Sequence, residues 1–254
     1  MLTRQWWREQ RLLTLGYLLL VVFNAAASVL MWPYLRDQIP AFVKIIPFEP
    51  LQQFVQAMET DGFWAYFCVQ HLWKGAGFFG IAAAGLMGSG LVAREVDNRT
   101  AEFLLSRPVS RSRILWTRVG VSAVLLVAPL FVATLVSYRL APRVDEVLEL
   151  GPALAATAHV SLYVMMAFAA TVALSARSSH ALKPAMVVLG VMLASFAIYL
   201  VRGLWDWSLY NLIDLDHLLP LHQGVFPWQP ALEMLGAASA FLGLAWWSFE
   251  RRDF

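Results

Sequence analysis

The five histidines are the side chains best suited to acid–base or metal chemistry, and their contexts exclude one common site. A zinc metalloprotease needs two histidines and a glutamate on one helical face, in the pattern His-Glu-x-x-His. No histidine of this chain is followed by glutamate; the five are His71, His159, His180, His217 and His222. An intramembrane enzyme that used Ser89 or His159 is therefore an alternative without a supporting motif.

Ser89 is the serine whose surroundings come nearest to those of a nucleophile. It lies in Met87-Gly88-Ser89-Gly90, which lacks the first glycine of a Gly-x-Ser-Gly turn. The small residues Gly85, Gly88, Ser89 and Gly90 are instead typical of close packing between helices. We interpret this stretch as a packing surface and predict no catalytic residue in it.

Nucleotide and metal sites are not predicted either. A phosphate-binding loop needs Gly-Lys followed by Ser or Thr, but the lysines of this chain, Lys44, Lys74 and Lys183, precede Ile, Gly and Pro. We therefore expect no ATP site and no cofactor in this chain. The group Asp214, Asp216, His217 and His222 has metal-ligand residue types, but its spacing matches no specific site, and we interpret it as solvated loop charge. The single cysteine, Cys68, excludes an internal disulfide.

Cys68, His71 and Lys74 recur every third residue, so in an α-helix they would share one face. Two interpretations stay open. One is a polar lining to a substrate route, to which Ser89 would also belong. The other is a lysine at a membrane interface that snorkels toward water beside a hydrogen-bonded histidine, and we favour it because snorkelling near helix ends is routine.

The composition places these residues in a membrane protein. Hydrophobic residues make up 59% of the chain and charged residues 14%, against roughly 25% charged residues in a soluble domain. The mean hydropathy is +0.61, and the eleven tryptophans suit the headgroup level of a bilayer. The net charge of only +2 gives no indication of nucleic-acid binding.

Six stretches are long enough to cross a bilayer as helices, which takes roughly 20 apolar residues each. They cover residues 12–34, 64–93, 115–138, 151–176, 184–201 and 230–249. We predict an all-α, polytopic protein with one transmembrane domain over residues 1–254. Residues 1–11, in which Trp6 and Trp7 lie among arginines, predict an interfacial helix. We do not interpret the start as a cleaved signal peptide, because the apolar run continues beyond the small residues 25–27.

The distribution of positive charge predicts the orientation. Most of the nineteen lysines and arginines fall on one side if both termini share that side, which is then cytoplasmic. We expect a bacterial-type inner membrane. The other side would hold a long loop with a short amphipathic helix at residues 51–58, and a helical segment at residues 202–229 between spans five and six.

The most charged part of the chain, residues 94–113, predicts a short cytoplasmic helix between spans two and three. Asn98 or Thr100 can cap it, and Glu102 suits its first turn. Pro108 restricts the residue before it, so the helix ends after about two turns. Ser110 then caps the helix that leads into span three.

The apolar residues of this short helix, Phe103, Leu104 and Leu105, need a surface to cover them, because two turns are not stable alone. That surface is either the base of their own bundle or a groove on a soluble partner. A partner that hydrolyses ATP would supply a function that this chain lacks.

Residues 95–111 resemble the cytoplasmic coupling segment of type 2 ABC exporter permeases. The matching positions are Glu95, Thr100, Glu102, Leu104, Leu105, Ser106, Pro108, Val109, Ser110 and Arg111. Arg99 stands where the family usually has glycine, and Arg118 where it has lysine. The order of the predicted segments and the final residues 249–254 are also similar to those of the family.

The resemblance implies the permease subunit of an ATP-driven exporter of a drug, a peptide, a lipid-linked molecule or a similar substrate. Two permease subunits, identical or related, would pair in the lipid and bind two copies of a separate ATP-binding subunit, which alone carries ATP and Mg²⁺. The implied coupling contacts are Glu95, Thr100, Glu102, Phe103, Leu104, Leu105, Pro108 and Arg111, with a smaller contact from residues 175–183. The alternative is a non-transporting scaffold in which the same ATPase drives assembly of an envelope machine.

Overall fold

The described part of the chain is helical throughout its regular structure. The computed structural model describes residues 2–39, 41, 46, 48–97, 110–201 and 203–252, with the backbone alone at residues 2–5 and 95. The α-helices are α1 (Leu2–Arg36), α2 (Glu49–Phe67), α3 (Ile81–Ser89), α4 (Ala93–Asp97), α5 (Arg111–Leu140), α6 (Leu150–Ser175), α7 (Lys183–Tyr199), α8 (Leu215–Leu218) and α9 (Trp228–Glu250). A π-helical segment, Cys68–Gly80, joins α2 to α3. The predicted all-α class is confirmed for these residues.

Four of the predicted spans are confirmed as helices that are long and apolar enough to cross a bilayer: α1, α5, α6 and α9. The fifth predicted span corresponds to α7, which is apolar but has only 17 residues. The second corresponds to the end of α2, the π-helical segment and α3, which follow one another without a loop. The six-span topology therefore stays a prediction.

The first helix differs from the prediction at its start. Leu2–Arg36 is one helix of 35 residues, without a boundary near residue 11. Trp6 is buried against α5, where its indole nitrogen donates a hydrogen bond to Ser122 Oγ at 2.8 Å. The guanidinium of Arg118 lies 4.6 Å from the Trp6 ring. This partner on α5 explains why the first turns continue the helix rather than lie flat, whereas Trp7 is exposed.

The second predicted span begins at a turn and then changes helical type. Gly62 has φ 57° and ψ −131°, a conformation that glycine adopts readily, and it separates the first part of α2 from the bundle. The predicted helix at residues 51–58 is confirmed within that first part. Thirteen residues then follow the π-helical path, and α3 completes the crossing.

Helix α6 forms the centre of the bundle. It packs against α9, α3, α5, α7 and the π-helical segment, and most of its residues are buried, with Tyr163 and Phe168 fully covered. The predicted close packing of small residues is confirmed at Gly88, where an added Cβ would lie 2.9 Å from the Thr171 Cβ. Helix α1 packs along α5 at the side of the bundle.

The predicted helical segment before the last span closes one end of the bundle, which we call the distal end. It consists of α8 and the 3₁₀ turns Trp205–Trp207, Leu209–Ile213 and Leu219–Gln223. The Tyr210 hydroxyl donates to the Gly77 carbonyl at 3.2 Å, and the Trp64 indole donates to the Leu219 carbonyl at 3.3 Å. These bonds attach the segment to the π-helical segment and to α2.

Candidate functional site

The opposite end of the bundle, which we call the basal end, carries both attachments of the predicted coupling segment. Six of the predicted coupling residues lie outside the described residues: Thr100, Glu102, Phe103, Leu104, Leu105 and Pro108. Glu95 lies on α4, and Arg111 is the first residue of α5. The structure therefore describes the helices on either side of the segment.

Ser110 fixes the start of α5 as predicted. Its backbone is extended, with φ −62° and ψ 147°, and its hydroxyl accepts a hydrogen bond from the Arg113 amide at 3.3 Å. This bond satisfies one of the amides that the first turn of a helix leaves without a partner. The chain thus leaves the coupling segment directly into a helix that crosses the bundle.

Ser175, the last residue of α6, holds the other side of the segment. Its hydroxyl oxygen accepts hydrogen bonds from the amides of Val92 at 3.2 Å and Ala93 at 3.0 Å. The same hydroxyl donates to the Ser89 carbonyl at 2.7 Å. One fully buried side chain therefore joins the end of α3 and the start of α4 to the central helix.

Asp97 at the end of α4 contacts the loop between α6 and α7. Its carboxylate accepts a hydrogen bond from the Ala181 amide at 3.1 Å, and its other oxygen lies 3.7 Å from His180 Nδ1. The predicted second contact loop, residues 175–183, is thus adjacent to the predicted main one.

The start of α5 is bonded to the end of α9. The Arg111 guanidinium donates to the carbonyls of Arg252 at 2.7 Å and Glu250 at 3.3 Å. The Ser112 hydroxyl bonds the Glu250 carboxylate. The Arg252 guanidinium in turn donates to the carbonyls of Ala176 at 2.8 Å and Ser178 at 3.0 Å.

Two further side chains complete this end. Arg177 Nε donates to the Ser248 hydroxyl at 3.0 Å, and the buried Arg118 donates to the Leu91 carbonyl at 2.6 Å. We call the whole set the basal junction: residues 89–97, 110–118, 175–183 and 248–252. Four chain segments that are distant in sequence meet there through hydrogen bonds of side chains, most of them to backbone groups.

Most of the residues that build the junction do not stand out in the sequence. Ser175 and Ser112 are serines at ordinary helix ends, and Asp97 is one of several acids in a charged stretch. Arg252 lies in the final residues that resemble the family's end, which is the one signal that sequence offers for it. Arg111 and Glu95 were expected at the site from their places in the motif, Ser110 as a helix cap, and residues 175–183 only as a contact loop.

The structure does not bring His71, Lys74 and Ser89, the residues of the possible substrate route, together on one face, and the route stays a prediction. His71 is buried and lies 2.9 Å from the Thr134 hydroxyl of α5, whereas Lys74 is exposed and bonds the side chain of Gln70. The π-helical path explains the separation: with hydrogen bonds from i to i+5, each residue turns less than in an α-helix, so positions three apart diverge. Ser89 lies at the basal junction, with its hydroxyl bonded to the Leu86 carbonyl.

The acidic and histidine residues near the distal end have structural roles. The Asp214 carboxylate caps α8 by accepting the Leu215 amide at 2.7 Å, and it accepts the Tyr199 hydroxyl at 2.7 Å. Burial raises the pKa of the Asp214 carboxyl, and these two hydrogen bonds oppose the rise. The His222 ring packs on Trp64 at 5.4 Å. Within the described ranges, no three His, Cys, Asp or Glu side chains are placed to hold a metal ion.

Comparison with known proteins identifies a family for most of the chain. The family described as ABC-2 family transporter protein matches residues 3–210, which include three of the four segments of the basal junction. No curated protein and no solved structure gives a significant match. The chain belongs to the ABC-2 family of transporter proteins, and it is a multi-pass membrane protein.

Proposed function

We propose that this chain is the permease subunit of an ATP-driven exporter, and that a separate ATP-binding subunit docks at the basal junction. Proteins of this family generally act with an ATP-binding subunit. The observation that carries the proposal is that both attachments of the coupling segment are bonded into one junction with the loop at residues 175–183. A force applied to the segment would therefore reach several helices at once.

The helices that leave the junction suit the transmission of a displacement. Helix α5 begins at Arg111, directly after the segment, and continues for 30 residues to the distal end. Ser175 connects the other attachment to α6, the central helix. Coupling between distant sites requires rigid elements, and these elements must have two discrete arrangements that both sites influence. The two long helices α5 and α6 meet the requirement for rigid elements.

The charges at the basal end support a cytoplasmic location and an acidic or anionic neighbour. Arg94, Arg113, Arg177, Lys183 and Arg251 are all exposed there. Positive charge on the cytoplasmic side is the expected distribution for a membrane protein. Exposed cations around an apolar contact also fix the register of a partner more than they add affinity.

The proposal extends to the full assembly. We infer six spans, with α7 and the composite of α2, the π-helical segment and α3 as the two that are not regular long helices. Helix α1 leaves large apolar side chains exposed, among them Leu12, Leu19 and Phe23, which suits lipid or a second permease subunit. Two permeases and two ATP-binding subunits would form the exporter in a bacterial-type inner membrane, with both termini cytoplasmic.

Co-purification tests docking. The chain is co-expressed with its cognate ATP-binding subunit, and retention of that subunit is measured for the wild type and for a Leu104→Asp, Leu105→Asp double variant. We expect the double variant to lose the subunit, because a carboxylate cannot enter an apolar groove without a partner. Val147→Asp is the matched control, since Val147 is 86% exposed in the turn between α5 and α6. Undiminished retention by the double variant would contradict the proposal.

Transport is measured separately from docking. Substrate flux in reconstituted vesicles distinguishes an exporter from the scaffold alternative, which predicts ATP hydrolysis and a stably bound envelope partner without flux.

A further inference from the structure

A groove with one lysine lies on the side of the bundle, between α1 and the π-helical segment. Its volume is about 370 Å³. It extends along α1 from Leu20 to Leu35, which is about 22 Å at the helical rise of 1.5 Å per residue. Phe23, Met31 and Phe79 contribute apolar walls, as does Leu20.

The polar part of the groove is formed by Asn24, Ser28, Gln70 and Lys74. The Lys74 ammonium donates a hydrogen bond to Gln70 Oε1, and the Asn24 amide donates to the Gln70 carbonyl at 3.2 Å. The π-helical path places Gln70 and Lys74, four residues apart, on the same side. Lys74 is exposed to the groove rather than buried between helices.

The position of Lys74 along the bundle is not that of a residue at a helix end. The neighbouring Gly75 packs against Asn24, since an added Cβ would lie 3.0 Å from the Asn24 amide nitrogen. Asn24 is near the middle of the apolar stretch of α1, residues 12–34. A cation at this depth is costly unless a partner compensates its charge, and such residues in membrane proteins mark binding sites or transport routes.

The described residues around the groove offer no carboxylate as that partner. None of the residues that line the groove is Asp or Glu. The sequence has no acid within the predicted spans apart from Glu233, which lies near the start of α9 and accepts a hydrogen bond from Gln229 at 3.2 Å.

We propose that the groove binds an anionic phospholipid of the surrounding bilayer. Its phosphate lies at the Lys74 ammonium, within reach of the amides of Gln70 and Asn24, and an acyl chain lies along Leu20 and Phe23. Lysine binds phosphate as a point charge, and amide donors add hydrogen bonds to the remaining oxygens. Gln70 is nearer the distal end than Lys74. The bound phospholipid therefore comes from the leaflet at the distal end, and its headgroup lies deeper than those of its neighbours.

Lipid retention tests the site without the ATP-binding subunit, so its outcome is independent of the proposed docking. The full chain is delipidated in detergent and exposed to phosphatidylglycerol or phosphatidylcholine, and the retained lipid is counted by native mass spectrometry. We expect phosphatidylglycerol to be preferred, and the preference to fall about fivefold in Lys74→Gln, the effect of one cation on an anionic lipid. Lys74→Arg keeps the charge and should keep the preference.

Two further variants separate the groove from general electrostatics. Arg36→Gln removes a cation at the end of α1, where Arg36 lies 3.6 Å from Asp37, and should leave the preference unchanged. Leu20→Trp fills the groove without altering charge and should release the same lipid. Three results would each overturn the proposal. They are an unchanged preference for phosphatidylglycerol in Lys74→Gln, a loss of that preference in Arg36→Gln equal to the loss in Lys74→Gln, and full retention of the lipid by Leu20→Trp.

Discussion

At the scale of single residues, one buried hydroxyl, that of Ser175, joins several parts of the basal junction. Its hydroxyl bonds two amides and one carbonyl, and all three belong to the stretch in which α3 ends and α4 begins. No water can replace it easily, because Ser175 is fully buried. The position of α4, and with it one attachment of the coupling segment, depends on this hydroxyl.

Substitution of Ser175 by alanine should therefore destabilise the protein. The change leaves the amides of Val92 and Ala93 buried without an acceptor, at a cost of about 1–3 kcal/mol per unsatisfied group. Thermal unfolding of the purified chain in detergent measures the loss. Ser178→Ala is the control, because the Ser178 hydroxyl bonds the His180 carbonyl at an exposed position, where effects stay within about 0.5 kcal/mol. Equal unfolding temperatures for the two variants would show that the Ser175 bonds contribute nothing.

At the scale of elements, the approach of α3 to α6 depends on a glycine. An added Cβ at Gly88 would lie 2.9 Å from the Thr171 Cβ and 3.2 Å from the Phe168 carbonyl oxygen. Both partners belong to the central helix, so neither can move far. Helix α3 would have to shift outward, and the shift would strain the bonds that Ser175 makes just beyond its end.

Gly88→Ala should consequently cost about 1–3 kcal/mol of stability, the usual effect of overpacking in a well-packed core. Gly90→Ala is the control, because Gly90 lies only two residues away in the sequence and nothing lies within 4 Å of an added Cβ there. The two variants differ by position alone, and thermal unfolding compares them directly. A destabilisation of Gly90→Ala as large as that of Gly88→Ala would contradict the packing explanation.

Helices that coincide with a long run of apolar residues were predictable from the sequence. Features that depend on contacts with residues distant in the sequence were not. Runs of apolar residues predicted α5, α6 and α9 to within a few residues, and Ser110 predicted the start of α5 through its capping hydroxyl. The π-helical segment has no comparable signal, because its residues would also suit an α-helix. Trp6 was misplaced for a related reason: its partners, Ser122 and Arg118, are more than 100 residues away in the sequence.

The same distinction applies to the site. The coupling motif located Arg111, but the bonds from Arg252 to the loop after α6 join two segments that only the folded chain brings together. Sequence reasoning placed Lys74 at a helix end because the apolar residues begin after it. In the folded protein Lys74 lies beside the middle of α1, so its depth was set by packing rather than by its own neighbours in sequence.

At the scale of the whole molecule, the proposed mechanism requires that a displacement at the basal junction reaches the distal end. The distal turn between α5 and α6 and the distal 3₁₀ turns expose Val147 and Trp207, which are 86% and 83% exposed. The one cysteine, Cys68, is fully buried. Spin labels attached at Val147→Cys and Trp207→Cys would therefore report on the distal end without interference from the native thiol.

The last prediction concerns transmission rather than docking. In the complex with the ATP-binding subunit, ATP and Mg²⁺ should shift the distance between the two labels. Arg252→Ala removes two bonds between the end of α9 and the loop after α6, those to the carbonyls of Ala176 and Ser178. It leaves the bond from Arg177 to Ser248 and the coupling segment in place. We expect this variant to retain the ATP-binding subunit and its hydrolysis, with a reduced shift at the distal end. Arg251→Ala should behave as the wild type, because the Arg251 guanidinium packs over Trp247 of its own helix at 4.7 Å. A full shift in Arg252→Ala would contradict the prediction and would mean that the displacement reaches the distal end without the Arg252 bonds.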